Sequence, residues 1–265
     1  MRWNKSAEEA IAKVPFFIRR RVKKKVEMEA EARHASEVTL EHVRTCQQNF
    51  LKNMEDEIKG YQLESCFGTG GCPNRIPTED NFVRTLEEML KSRNLKTLLK
   101  SKVDGPLKFH HEFRVSVSDC PNACSRPQVT DLGVIAAVRP VPSGADCSQC
   151  GVCAEICIEN AVTMTEEMPR PEINLEKCLF CGHCVNACPT ETLVRGEEGY
   201  RIMVGGKLGR RPRLASEIPG VFSMDETFTL INQLLDLYVK NNTRGERFGE
   251  ILERVGVQEL NQFAK

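Results

Sequence analysis

Cysteine is the residue whose number and spacing give this chain its chemistry. Twelve of the thirteen cysteines fall into spaced groups, and two of these groups repeat a C-x2-C-x2-C-x3-C run. Three thiolates on such a tight loop can wrap one face of a [4Fe–4S] cluster, while the fourth cysteine reaches across to a second cluster. The two runs therefore predict two clusters with exchanged fourth ligands. Cluster I would take Cys147, Cys150, Cys153 and Cys188, and cluster II would take Cys178, Cys181, Cys184 and Cys157.

A pair of zinc sites is the alternative explanation for these eight cysteines. Zinc ligands usually come in pairs, so two quadruplets fit that pattern poorly. Residues 139–197 instead resemble a bacterial-type ferredoxin domain with two [4Fe–4S] clusters, and Pro189 closes the second run as in that pattern. Ile158 stands where the pattern normally has proline after the first run. The resemblance implies an electron-transfer module.

Four further cysteines precede these runs with a different spacing. They occur in the segments Cys66-Phe-Gly-Thr-Gly-Gly-Cys72-Pro-Asn and Cys120-Pro-Asn-Ala-Cys124-Ser-Arg-Pro. Both segments, and a glycine-rich strand and loop at residues 199–212, resemble the cluster-binding half of the siroheme sulfite and nitrite reductases. A ferredoxin domain inserted between them is typical of the dissimilatory members. The resemblance implies a third [4Fe–4S] cluster and a bridge from Cys124 to a siroheme iron. The third cluster would be held by Cys66, Cys72, Cys120 and Cys124.

Basic side chains are the other requirement of such a site, because sulfite and the carboxylates of siroheme are anionic. Cys124 is the candidate for electron delivery. Seven basic residues in or beside the matching motifs are candidate ligands, and they are Arg75, Arg84, Arg114, Arg126, Lys207, Arg210 and Arg211. Of these, Arg126, Lys207 and Arg210 are the candidates for the catalytic site. For each basic residue taken alone, a solvated surface position or a salt bridge is the alternative explanation.

Alternating apolar residues predict the strands that position these ligands. Residues 113–117 alternate just before Cys120, and residues 200–204 alternate before the glycine-rich loop. Ser223 and Glu226 form a capping box that begins a C-terminal helix. The predicted fold is α+β, with a sulfite-reductase-like cluster-binding α/β domain that receives the ferredoxin domain as an insertion. The α/β domain would occupy residues 46–138 and 198–265, and the insertion residues 139–197.

The first 45 residues have a separate pattern, which predicts helices. Trp3 and the run Ala-Lys-Val-Pro-Phe-Phe-Ile-Arg-Arg resemble the small helical domain that ends the B subunit of light-independent protochlorophyllide reductase. This resemblance implies proximity to a tetrapyrrole or to a partner protein, and it assigns no catalytic residue. Cys46 is the cysteine outside the three groups. It lies on an apolar helix stripe and is predicted to be a core thiol.

The composition argues against several classes of function. The 37 basic and 37 acidic residues balance, so a nucleic-acid partner is not expected. There is no apolar run long enough to cross a membrane, and the first residues lack the apolar centre of a signal peptide. Cluster cysteines must stay reduced, which favours the cytoplasm. Three low-potential clusters favour an anaerobe.

Together these features predict an iron–sulfur oxidoreductase. Electrons would pass from the ferredoxin domain to the siroheme-coupled cluster, for reduction of sulfite or a similar small oxyanion. The first alternative is a siroheme-free electron-transfer subunit that relays electrons to a partner enzyme. The second is a scaffold in which the clusters mainly stabilise the fold. An electron donor or acceptor protein is the expected partner, and a homo- or hetero-oligomer would complete the anion pocket.

Overall fold

The computed structural model describes residues 1–164 and 170–264, which belong to two compact units. The N-terminal unit comprises Met1–Ile58 and Val103–His110. The cluster unit comprises Lys59–Lys102 and His111–Lys265.

The N-terminal unit is helical. Its elements are β1 (Arg2–Trp3), α1 (Lys5–Ala12), α2 (Phe16–Ala32), β2 (Glu37–Val38) and α3 (Leu40–Glu57). Asn4 caps α1 by accepting from the backbone N–H of Ala7, and α2 begins directly after Pro15. A small core of Ala7, Val26, Ala30 and Val38 holds the helices together, and Cys46 packs against it.

The helix α3 is continuous through residue 45, where the sequence analysis places the end of the first segment. Residues 46–57 share one hydrogen-bonded helix with residues 40–45, because no glycine or proline interrupts them. The first compact unit therefore extends to Ile58.

The cluster unit is built on a mixed five-stranded sheet. Its strands are β3 (Tyr61–Ser65), β4 (Phe113–Ser118), β5 (Leu132–Pro142), β8 (Leu193–Val204) and β9 (Ser216–Phe222), in the spatial order β3-β4-β5-β8-β9. The first three strands are parallel, whereas β5, β8 and β9 are antiparallel neighbours. Its larger helices are α4 (Phe82–Ser92), α5 (Leu95–Lys102), α8 (Met224–Asn241) and α9 (Phe248–Val255).

One core joins the helices to the sheet. The apolar faces of α4 and α8 are buried with the sheet residues Val115, Val134 and Ile202. Aromatic rings reinforce this core: Phe82 stacks on Tyr200 with ring centroids 4.2 Å apart. The structure confirms the α+β class, the two predicted strands and the capping box at the start of α8.

Residues 143–192 leave the sheet at the end of β5 and return at the start of β8. This insert contains α6 (Val152–Glu155), β6 (Val162–Thr163), β7 (Glu172–Ile173) and α7 (His183–Ala187), and β6 pairs antiparallel with β7. Hydrogen bonds attach the insert to the sheet. The backbone N–H of Val138 donates to the carbonyl of Phe180 at 2.7 Å, and Arg201 Nη1 donates to the carbonyl of Leu179 at 3.1 Å.

Candidate iron–sulfur centres

The earliest four cysteines meet beyond the carboxyl ends of two neighbouring parallel strands. Cys66 directly follows β3, and Cys120 lies two residues beyond β4. The backbone N–H of Cys66 donates to the carbonyl of Val117 at 3.0 Å, so the first ligand continues the ladder between the strands. The four thiols line one cavity of about 250 Å³, and they are Cys66, Cys72, Cys120 and Cys124. We call these four residues the first cysteine group.

The electrostatic surroundings of Cys120 include the other three thiols of the group. Burial raises the pKa of Cys120, and the thiolates of Cys72, Cys66 and Cys124 raise it further. Cys120 also receives a backbone hydrogen bond from Asn122, which opposes the rise. Deprotonation of four neighbouring thiols requires compensation by positive charge, which the iron of a cluster would supply.

Hydrogen-bond donors point at two other sulfurs of this group. The backbone N–H of Asp119 donates to Cys66 Sγ at 3.2 Å, and Asn122 Nδ2 donates to Cys124 Sγ at 3.0 Å. Donors to sulfur stabilise thiolate ligands and tune iron–sulfur clusters. Cys124 is the exposed member of the group, so the cavity is open to a further group on that side.

The cysteines of the insert form two more groups, and each group draws its fourth member from the other run. Burial raises the pKa of Cys153, and the thiolates of Cys188 and Cys147 add to the rise. Cys188 also acts on the exposed Cys150, although backbone hydrogen bonding from Val152 lowers the pKa of that thiol overall. We call Cys147, Cys150, Cys153 and Cys188 the outer insert group.

The remaining four cysteines form what we call the inner insert group, which is Cys157, Cys178, Cys181 and Cys184. Burial raises the pKa of Cys184 to about 12, and the thiolates of Cys181, Cys178 and Cys157 contribute to the rise. Both insert groups have the exchanged composition that the sequence predicts for clusters I and II. Their role as cluster ligands stays a prediction.

A single cavity brings the inner insert group next to the first cysteine group. Its volume is about 320 Å³, and its lining includes Cys120, Asn122 and all four thiols of the inner insert group. One cysteine of the first group, Cys120, therefore lies at the edge of the neighbouring group. The outer insert group does not line this cavity.

Three basic side chains singled out in the sequence have different surroundings. Arg126 is exposed, with a left-handed backbone at φ 61°, and its Nη2 lies 3.7 Å from a carboxylate oxygen of Glu64. Arg210 is exposed on the loop after β8. Lys207 is largely buried, and its Nζ donates to Glu250 Oε1 at 2.5 Å.

A small cavity of about 70 Å³ lies beside Arg126. Its lining also includes Arg114, whose Nε is buried without a hydrogen-bond partner among the described residues. Glu64 also lines this cavity and lies 3.7 Å from Arg126, so the Nε of Arg114 is the donor there that is left for a small anion. Arg114 is one of the basic candidates that the sequence offers, and it precedes the C-x3-C pair in the same motif.

Two more contacts at the first cysteine group were not predicted from the sequence. Arg75 Nε lies 3.4 Å from Asp119 Oδ2, and its Nη2 donates to Asp80 at 2.7 Å. Burial raises the pKa of Asp119, while Arg75 acts in the opposite direction. The second contact that was not predicted is the hydrogen bond from the side chain of Asn122 to Cys124 Sγ. The Pro-Asn turn was visible in the sequence, but the direction of the amide was not.

A model of the nitrite and sulphite reductase 4Fe-4S domain matches residues 61–264. The chain belongs to this family. A second model, the proto-chlorophyllide reductase 57 kD subunit, matches residues 3–46. The resemblances to the sulfite and nitrite reductases and to protochlorophyllide reductase are thereby confirmed. The ferredoxin resemblance of residues 139–197 stays a prediction.

Two relatives of this chain are named as sulfite reductases. The chain is 32% identical over 207 residues to coenzyme F420-dependent sulfite reductase of Methanocaldococcus jannaschii, covering 76% of this chain and 31% of that protein. It is 29% identical over 157 residues to the beta subunit of dissimilatory-type sulfite reductase of Archaeoglobus fulgidus, covering 54% and 43%. The chain thus spans less than half the length of these relatives.

A solved structure shows the same fold. The crystal structure of dissimilatory sulfite reductase I superposes with a TM-score of 0.52 at 19% identity, covering 82% of this chain and 57% of that chain. This likeness supports the sulfite-reductase-like architecture of the family member and says nothing of its activity.

Four thiols at each cysteine group are the donor set that a [4Fe–4S] cluster requires. Across the described parts of the chain, no three cysteine, histidine, aspartate or glutamate side chains converge on a point that would hold one metal ion. A zinc ion draws its ligands to about 2.0–2.3 Å from one atom, whereas a [4Fe–4S] cluster spreads four thiolates over four irons. The first cysteine group and the inner insert group each surround a cavity. Among the described helices, none is both long and apolar enough to cross a membrane.

Proposed function

We propose that this family member is an iron–sulfur oxidoreductase that moves electrons from the insert to the first cysteine group, for reduction of sulfite or a similar small oxyanion. One observation carries this proposal. Cys120 and the four thiols of the inner insert group line the same cavity. Two centres that share a wall can exchange electrons directly, so the arrangement favours a relay.

The groups define an order for this relay. The outer insert group includes the exposed Cys150, where an electron-donor protein would approach. Cys157 and Cys188 cross between the two insert groups, which keeps those centres close. The inner insert group then adjoins Cys120. [4Fe–4S] clusters supply one-electron storage at each step, and the chain supplies their order.

The end of the relay would be the exposed Cys124. A siroheme bound there would supply the iron that binds the oxyanion and takes up the electrons. Arg126 and Arg114 are placed to attract anionic groups beside this cysteine. The cavity that they line holds about 70 Å³, which suits a small anion and is too small for a macrocycle. The exposed Cys124 would hold a siroheme, and a second subunit or another copy of this chain would complete the site.

A siroheme-free relay to a partner enzyme is the second candidate, and the state of Lys207 favours it. Its ammonium group is held by Glu250 rather than directed at an open cavity. Of the three basic candidates for the catalytic site, only Arg126 lines the small cavity near Cys124. In this candidate function the partner enzyme receives the electron at the Cys124 face.

An anaerobic absorption spectrum of the reconstituted protein, with iron counting, separates the two functions. Three clusters and one siroheme require about thirteen irons, together with haem Soret and red bands. Those bands, and turnover of sulfite or nitrite, are expected for the reductase. About twelve irons without haem bands would refute the reductase and leave the relay.

Two variants make the iron count specific. Cys124→Ala is expected to lose the irons of the first cysteine group and keep about eight in the insert. Cys46→Ala is the matched control, because Cys46 lies in the N-terminal unit and packs against its small core. Equal iron content in wild type and Cys124→Ala would refute the proposed ligand set.

A further inference from the structure

Asn122 contacts two of the four thiols in the first cysteine group. Its side-chain Nδ2 donates to Cys124 Sγ at 3.0 Å. Its backbone N–H also donates a hydrogen bond to the sulfur of Cys120. One residue therefore supplies donors to both cysteines of the C-x3-C pair.

Asn122 also forms part of the wall between two sites. It lines the cavity of about 250 Å³ in the first cysteine group and the cavity of about 320 Å³ that adjoins the inner insert group. Asn74 lines the same two cavities. Within the described residues, however, the amide of Asn74 makes no hydrogen bond to a cysteine. The two asparagines therefore differ in whether their side chain donates to a sulfur.

Hydrogen bonds to the sulfurs of an iron–sulfur cluster set its reduction potential. A donor stabilises the reduced state more than the oxidised state, because the reduced state carries one more negative charge. A donor on Cys124 therefore raises the reduction potential of the centre that this cysteine ligates. Electrons flow spontaneously towards the centre with the higher potential.

We infer that Asn122 is a positioning residue that raises the reduction potential of the first cysteine group's centre and so directs electrons from the insert towards Cys124. The inference rests on the proposed function, since it concerns the same relay. One electron leaves the centre of the inner insert group and enters the centre of the first group. No bond forms or breaks in this step.

An EPR-monitored redox titration of the loaded, full-length protein tests the inference. The signal of the first group is assigned by its loss in Cys124→Ala. Asn122→Ala removes the donor and is expected to lower the reduction potential of the first group's centre. The expected shift is about 59 mV, which for one electron is a tenfold change in the redox equilibrium. Asn122→Asp should lower the potential further, because a carboxylate replaces the donor with a negative charge. The two insert signals should stay unchanged.

Asn74→Ala is the matched control, and its three potentials should equal those of the wild type. If Asn122→Ala fails to retain the cluster, the nearly isosteric Asn122→Asp carries the test. Partial reduction adds a second readout. In the wild type the added electron should give the EPR signal of the first group, and in the Asn122 variants it should give a signal of the insert. Unshifted potentials in a protein with about twelve cluster irons would overturn this inference alone. A wild type with only about eight cluster irons would overturn the proposed function together with it.

Discussion

Arg247 and Asp131 form an ion pair at the start of α9. The Nε of Arg247 donates to both carboxylate oxygens at 3.0 Å, and the side chain of Asp131 is only 1% exposed. The same carboxylate accepts from the backbone N–H of Arg114 at 2.8 Å and of Phe248 at 3.0 Å. Asp131 therefore fastens α9 to β4, the strand that leads to Cys120.

Replacement of Asp131 should destabilise the cluster unit strongly. Removing one partner of a buried ion pair typically costs about 3–5 kcal/mol, because the other charge is left without compensation. We expect Asp131→Ala to lower the free energy of unfolding by that amount in an anaerobic denaturant titration. Arg139→Ala is the control, because it breaks an exposed pair with Glu197 and should cost no more than about 1 kcal/mol. An Asp131→Ala protein as stable as this control would contradict the expectation.

Gly68 should be essential for the first cysteine group, whereas Gly70 should not. A Cβ at Gly68 would lie 2.8 Å from the Cβ of Asp119, closer than real side chains approach. A Cβ at Gly70 would meet no atom within 4 Å, and its backbone is not left-handed. We expect Gly68→Ala to displace the loop between Cys66 and Cys72 and to lose about four irons.

The Gly70→Ala protein is the matched control for this loop and should retain the full iron content. Iron and sulfide analysis of both proteins, purified in parallel, checks the expectation. Full occupancy in Gly68→Ala would mean that the Asp119 side chain can move aside.

The exchange of fourth ligands predicted for the insert determines which EPR signals each cysteine variant should lose. Cys157 precedes α7 by more than twenty residues, yet its thiolate acts on Cys178 and Cys184. We expect Cys157→Ala and Cys178→Ala to abolish the same EPR signal, and Cys188→Ala to abolish the signal lost in Cys153→Ala. Loss of the same signal in Cys157→Ala and Cys153→Ala would contradict this grouping.

The pair between Lys207 and Glu250 predicts a dependence of stability on pH. Burial tends to raise the pKa of Glu250, but hydrogen bonds from Lys207 and Arg247 outweigh it and lower the pKa overall. A carboxyl whose pKa is lower in the folded state stabilises the fold above its unfolded pKa of about 4.3. That contribution is lost as the pH falls through the folded pKa.

Glu250→Gln should therefore be less stable than the wild type near neutral pH, and the difference should shrink below about pH 4. Denaturant unfolding of both proteins over this range measures the difference. Glu217→Gln is a control, because Glu217 pairs with Arg201 on another part of the sheet. A difference that grows as the pH falls would contradict the expected sign.

Local sequence patterns predicted the elements that depend on local physics. Alternation gave the strands β4 and β8, and the Ser223–Glu226 capping box gave the start of α8, because both signals act over a few residues. Cys46 was predicted to be a core thiol, but it is only half-buried and packs against the edge of the small core of the N-terminal unit. Burial, followed by Glu29, raises the pKa of its thiol.

The contacts that decide the site's electrostatics were outside the reach of such patterns. Glu250 lies 43 residues beyond Lys207, and no spacing rule pairs them. Arg201 donates to the carbonyl of Leu179 across 22 residues, which depends on how the insert lies against β8. Side-chain direction was equally hidden, as the amide of Asn122 illustrates.

Pro142 and Leu193 are partners across the ladder between β5 and β8. The chain therefore enters and leaves residues 143–192 at one place, and a short hairpin turn could join the two strands in the same register. Gain or loss of this segment in a single genetic event would leave the pairing of β5 with β8 unchanged. The same junction is a position at which another small domain could be inserted by protein engineering.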